Sequence, residues 1–228
     1  MDYLEEISQN RIRYFKEKTA AYYHECGRKD LTWRQTQDPW KILLAEVLLR
    51  KTTAVQVEKV YKKIKDISPE ELRDFPFENL ESLLKPLGIN RERARLLKLI
   101  GEKVAESGRE RLRDWNFLYS LPGIGRYAAN MVLATAFDEP LPGLDRNMIR
   151  VLERVFSIES DKARPHTDRM LWEAAGTIVP KEDPKGFNWG ILDLASELCR
   201  PSSPKCKRCP LKEICDWYHS QGESGKDE

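Results

Sequence analysis

No uninterrupted apolar run in these 228 residues approaches the roughly 20 that a membrane-spanning helix needs. The opening stretch, MDYLEEISQNRIRYFKEK, is too acidic and too broken by charge to read as a secretory signal. A soluble, intracellular, cytoplasmic protein with no membrane partner is expected. An excess of either charge is also missing. With 39 Lys and Arg against 37 Asp and Glu, an anionic partner has to be met by a local basic face. Alternating β-branched stretches are scarce, and no repeat of solenoid length is present. Cysteine is scarce and unevenly placed: Cys26 stands apart, and the other four fall in residues 199–215. That distribution excludes an even disulfide framework and points to a metal.

What is present is helical periodicity. Apolar residues recur at three- and four-residue spacing through 4–24, 40–64, 91–105, 124–137, 146–156, 168–179 and 187–198, so the fold class expected is all-α. Asp38 and Pro39 mark a helix start, PLGIN at 86–90 a turn, and EPLPGLD at 139–145 an extended connector. This connector is the best candidate for a lobe boundary. The tail QGESGKDE has the composition of a disordered end.

Cys199, Cys206, Cys209 and Cys215 follow the spacing C-x6-C-x2-C-x5-C. Such short loops let four thiolates converge on one tetrahedral metal or on a cubane cluster. Zinc ribbons usually offer two C-x2-C knuckles and only one stands here, which favours a 4Fe-4S cluster with zinc as the alternative. Around the ligands lie Arg200, Lys205, Lys207, Arg208 and Lys212, either a solvated loop or a phosphate-contacting patch.

In LPGIGRYAAN at 121–130, two glycines precede a helix, whose first N–H groups have no intrahelical partner. An anion fits such a turn, and a plain interhelical turn fits it too. Asp145 precedes the amphipathic stretch RNMIRVLERVF and is its natural N-cap. Within ILLAEVLL at 42–49, Glu46 is the lone charge on an apolar face, although Arg50 stands one helical turn on.

LPGIGRYAA, LDRNMIRVLERVF, FNWGILDLASELC and the cysteine spacing occur in an order that resembles the helix-hairpin-helix DNA glycosylases of the endonuclease III and MutY superfamily. The resemblance spans roughly residues 30–217. It implies a two-lobe protein: a six-helix barrel over 29–139 with its helix-hairpin-helix at about 113–137, and an iron-sulfur domain from 1–28 plus 140–219. Residues 220–228 would be a disordered tail, and the DNA cleft would lie between the lobes. The implied partner is double-stranded DNA containing a mismatched or damaged base, bound by a monomer. These enzymes extrude a nucleotide and cut its N-glycosidic bond.

By the same resemblance, Asp145 would stabilise positive charge on the sugar and position water, Glu46 would donate to the leaving base, and Asn147 and Trp189 would complete the pocket. Gly123, Ile124 and Gly125 would grip a phosphate by backbone. Arg50 and Lys51 would fill the gap left by the extruded nucleotide or contact the opposite guanine, and Ile89 in the PLGIN turn would be an apolar wedge, the alternatives being a solvated helix end and a buried turn. Strand-cleaving relatives carry lysine where Tyr127 stands, so a monofunctional hydrolase with weak or no abasic-site lyase activity is expected. Arg50-Lys51-Thr52-Thr53 and Phe187-Asn188-Trp189 depart from the MutY pattern and resemble archaeal-type T(U):G mismatch glycosylases. That resemblance implies thymine or uracil opposite guanine as the expected substrate. The alternatives are adenine removal without MutY's C-terminal domain, an endonuclease III-like activity, and a non-enzymatic DNA-structure-binding Fe-S protein.

Overall fold

A computed structural model of the chain describes residues 7–222. Every regular element among them is helical, and no strand occurs. The first helix, α1 (Gln9–Cys26), starts where the Ser8 side chain accepts the Arg11 N–H. Next come α2 (Pro39–Leu49), capped by the Asp38 carboxylate with Pro39 in its first turn, and α3 (Ala54–Ile64). The periodic stretch 40–64 is therefore two helices rather than one. A capping box formed by Thr53 and Gln56 starts the second, and Lys51 in the break takes a left-handed φ of 54°.

Two short helices, α4 (Pro69–Asp74) and α5 (Phe77–Leu84), lead into α6 (Asn90–Ser107). Then α7 (Trp115–Ser120) and α8 (Arg126–Ala136) form a hairpin about Leu121–Gly125, braced where Trp115 Nε1 donates to Asn130 Oδ1 at 2.8 Å. The remaining helices are α9 (Arg146–Phe156), α10 (Arg169–Ile178), α11 (Pro184–Glu197) and α12 (Asp216–Gly222). Residues 220–222 thus continue a helix where a disordered end was expected, and 223–228 lie outside the described residues.

The helices divide into two units, Lys29–Glu139 and Met1–Arg28 with Pro140–Glu228. In the first, α2 packs on α8 and α6 on α4 and α5. Every residue of α2 from Ile42 to Leu48 is buried, Glu46 included. In the second, α11 packs on α1 and α9, around Phe15, Phe156 and Phe187, whose rings meet edge to face. Gly190 permits the close α1–α11 approach: a Cβ there would sit 2.3 Å from the Thr19 carbonyl oxygen. Among the described residues no helix is long and apolar enough to cross a membrane.

Candidate functional site

In the unit 29–139, the glycine turn is two different glycines. Gly123 has φ 71°, and a Cβ there would come within 2.7 Å of Arg50 Nη1 and 2.9 Å of Leu96 Cδ1. The fold itself demands glycine at this position. Gly125, the N-cap of α8, has φ −96° and open space where a Cβ would stand. Nothing inside the protein demands glycine there. Ile124 turns its side chain into the core and leaves only backbone to the outside. Tyr127 is half-buried on the first turn of α8.

Beside this turn, the structure brings Arg50, Lys51 and Ile89 to one pocket, which Glu92, Arg93 and Leu96 also line. Ile89 is 48% exposed and adopts φ 41°, although a β-branched side chain disfavours that region strongly. The turn expected at 86–90 is present; it is strained at Ile89, whose apolar side chain is exposed.

In the other unit, Asp145 caps α9. Its Oδ1 accepts the N–H groups of Asn147 at 2.8 Å and Met148 at 2.9 Å, while Oδ2 accepts Asn147 Nδ2 at 2.7 Å. Burial raises the carboxyl pKa above the ordinary aspartate value, against those hydrogen bonds and the nearby Arg150, which favour the charged form. The approach to Asp145 is held by Asn188, which residue patterns did not single out as a site residue. Its Oδ1 accepts Gly143 N–H at 2.8 Å, and its Nδ2 donates to the carbonyls of Leu141 and Pro184, each at 2.9 Å. A polar residue so fully bonded at 1% exposure fixes the connector's path. Trp189, next to it, lies in the interior with its ring against Tyr23.

From Asn147 the bonding continues to the cysteines. Arg150 Nη2 donates to Asn147 Oδ1 at 3.1 Å, and its Nε donates to the Cys199 carbonyl at 2.8 Å. One turn on, Arg154 Nη1 lies 3.4 Å from Cys199 Sγ and donates to the Arg200 carbonyl at 2.7 Å, its guanidinium packed over the Trp217 ring. The Arg154 carbonyl in turn accepts the Cys215 thiol at 3.2 Å. All four cysteines line one apolar pocket with Val151, Leu194, Leu198 and Leu211 among its walls. Burial pushes the Cys209 thiol up to about 12, and the other three thiols add to the effect. Among the described residues, no three His, Cys, Asp or Glu are grouped tightly enough to hold a single metal ion. Four thiols lining one apolar space are a donor set that fits a thiolate-ligated metal centre. Arg200, Lys205, Lys207 and Arg208 are all exposed around this loop.

Residues 44–176 match the model of the HhH-GPD superfamily base excision DNA repair protein. A thymine/uracil-DNA glycosylase of Pyrobaculum aerophilum is 45% identical over 213 residues, 91% of this chain and 93% of that protein. A thymine-DNA glycosylase of Aeropyrum pernix is 42% identical, over 94% of this chain and 98% of that protein. Among solved structures, a thermostable thymine-DNA glycosylase superposes with a TM-score of 0.85 at 31% identity, covering 92% of this chain and 98% of that one. A non-covalent endonuclease III–DNA complex gives 0.77 at 27% identity, covering 95% and 99%.

Proposed function

Since the chain belongs to the HhH-GPD superfamily of base excision DNA repair proteins, we propose that it is a monofunctional DNA glycosylase removing thymine or uracil mispaired with guanine. The observation that carries the reading is identity of 42–45% to thymine and thymine/uracil glycosylases, over more than nine-tenths of this chain and of each relative.

Double-stranded DNA is held at the Gly123–Gly125 turn, whose backbone N–H groups and helix start suit a phosphate. The open space at Gly125 supports this, because a phosphate there leaves no room for a side chain. Ile89 enters the stack as an apolar wedge, and Arg50 and Lys51 face the gap and the opposite guanine. The exposed loop cations Arg200, Lys205, Lys207 and Arg208 add phosphate contacts.

Hydrolysis breaks the bond from C1′ of the sugar to the base and forms one from C1′ to the water oxygen; Asp145 takes the proton that the water loses, and the base leaves with the proton that Glu46 gives. The carboxylate of Asp145 stabilises the positive charge that develops on the sugar and orients the water, with Asn147 fixing its second oxygen. Glu46, buried in α2, donates a proton or hydrogen bond to the departing base, and Tyr127 lines the pocket. Trp189, like Asn147, is assigned to the substrate pocket. A phenol at position 127 forms no Schiff base, so the product is an intact strand with an abasic site. Cys199, Cys206, Cys209 and Cys215 would hold a 4Fe-4S cluster in the lobe that contains 140–219, while 29–139 supplies the helical barrel. Such a cluster supplies a rigid, redox-capable anchor for the loop.

The test is single-turnover incubation of the monomeric protein with T:G, U:G and A:8-oxoguanine duplexes, followed by alkali. Release of thymine and uracil with alkali-dependent breaks is expected. Release of adenine alone would transfer the chain to the adenine-removing branch, and breaks without alkali would overturn the monofunctional assignment.

A further inference from the structure

Arg93, on the first turns of α6, is 2% exposed, yet its hydrogen bonds go to carbonyls rather than to a carboxylate. Nη1 donates to the carbonyls of Val47 at 2.6 Å and Leu48 at 3.1 Å, and Nη2 donates to that of Arg50 at 2.9 Å. Val47 and Leu48 carry two of the last carbonyls of α2, which have no intrahelical donor, and Arg50 is the residue that caps its end. Arg93 also stands one turn into α6, whose N-cap is Ile89, and its backbone N–H makes the ordinary first helical bond to the Ile89 carbonyl at 3.0 Å. One residue therefore ties the end of the Glu46 helix, with Arg50, to the strained turn that presents Ile89.

Burying a guanidinium without a carboxylate partner is costly, and here its Nε has no hydrogen-bond partner either. Ending a helix does not require that cost, since glycine or a side-chain cap does it more cheaply. Ile89 at φ 41° is a second costly feature, and it persists only if its surroundings over-determine it. Both features sit on the walls of the same pocket, together with Arg50 and Lys51. Arg50 also packs against Gly123, where a Cβ would meet its Nη1 at 2.7 Å, so the glycine turn adjoins the same assembly.

We propose that Arg93 is a positioning residue that locks Ile89, Arg50 and Lys51 into one rigid insertion device, so that wedge and gap-filling side chains enter DNA together. The inference rests on the reading of Ile89 as a wedge. It assigns Arg93 no contact with the substrate.

The experiment is a double-mutant cycle on the full-length protein, with 2-aminopurine placed beside a T:G mispair to report extrusion. Ile89→Ala and Arg93→Met should each slow the fluorescence rise by about tenfold, and the double variant should be no slower than the worse single one. Arg93→Met should keep its affinity for an undamaged duplex, which general unfolding would not allow. Should Arg93→Met fail to fold, Arg93→Lys, which keeps the charge but not the fork, carries the same cycle. Losses that multiply to about a hundredfold in the double variant would overturn the role of Arg93 alone. Wild-type extrusion by Ile89→Ala would overturn the wedge reading, and the inference with it.

Discussion

Asp145 does two jobs with one carboxylate, and the two can be separated by a single substitution. As a cap, its Oδ1 accepts two N–H groups of α9, a task asparagine performs equally well. As a stabiliser of a developing cation it must carry charge, which asparagine cannot. Asp145→Asn should therefore lower single-turnover base release by about 10²- to 10⁴-fold while the capped fold is retained, the gain from losing a buried charge being set against the lost bond from Asn147 Nδ2. Burial keeps this carboxyl above the ordinary aspartate pKa, so the folded state binds its proton more tightly than the unfolded chain does. The charged form then costs stability, and neutral asparagine removes that cost. For activity the sign is the reverse: as pH falls through the raised pKa, the working carboxylate is lost. The acid limb of the rate profile should lie above the value of about 3.9 for a free aspartate, and a limb at or below it would show Asp145 is not the limiting group.

At the scale of elements, the hairpin of α7 and α8 separates what folding requires from what binding requires. Gly123→Ala meets a left-handed φ and a 2.7 Å approach to Arg50, so thermal unfolding should show a loss of about 1–3 kcal/mol. Gly125→Ala meets neither, so stability should stay within about 0.5 kcal/mol while duplex affinity falls. Equal affinity in that variant would remove the turn from phosphate contact. The hairpin was legible in the sequence because glycine and proline punctuate it. The break from α2 to α3 was not, because Arg50–Thr53 contains neither; its signal was the Thr53–Gln56 capping box. Arg93 hid for a related reason: an arginine in NRERARLLK reads as a solvated face, and only the fold shows that its guanidinium caps another helix. Asn188 escaped similarly, since its partners Leu141 and Gly143 lie more than forty residues away in sequence.

At the scale of the whole chain, the order of its motifs carried the family, while the proposed cluster would sit in a loop with little structure of its own. Residues 199–215 contain two single 3-10 turns, at Cys206–Arg208 and Lys212–Ile214, and lean on α9 through Arg150 and Arg154. The proposed cluster would hold such a loop, and Arg150 links the loop to Asn147, which bonds Asp145. Purified protein should therefore be brown, with about four irons per chain and visible absorption. Stoichiometric zinc without iron would reject the cluster. Cys206→Ser should lower iron content and open the Arg200–Arg208 stretch to trypsin, with base release falling in parallel. Arg150→Ala tests the link separately. It leaves all four thiols in place, so iron should be retained while the rate falls by about tenfold, the size expected when a supporting partner of a catalytic group is removed. Retained iron with an unchanged rate would show that the centre anchors the loop without reaching Asp145. Lost iron would show that Arg150 serves the cysteine loop before it serves the carboxylate.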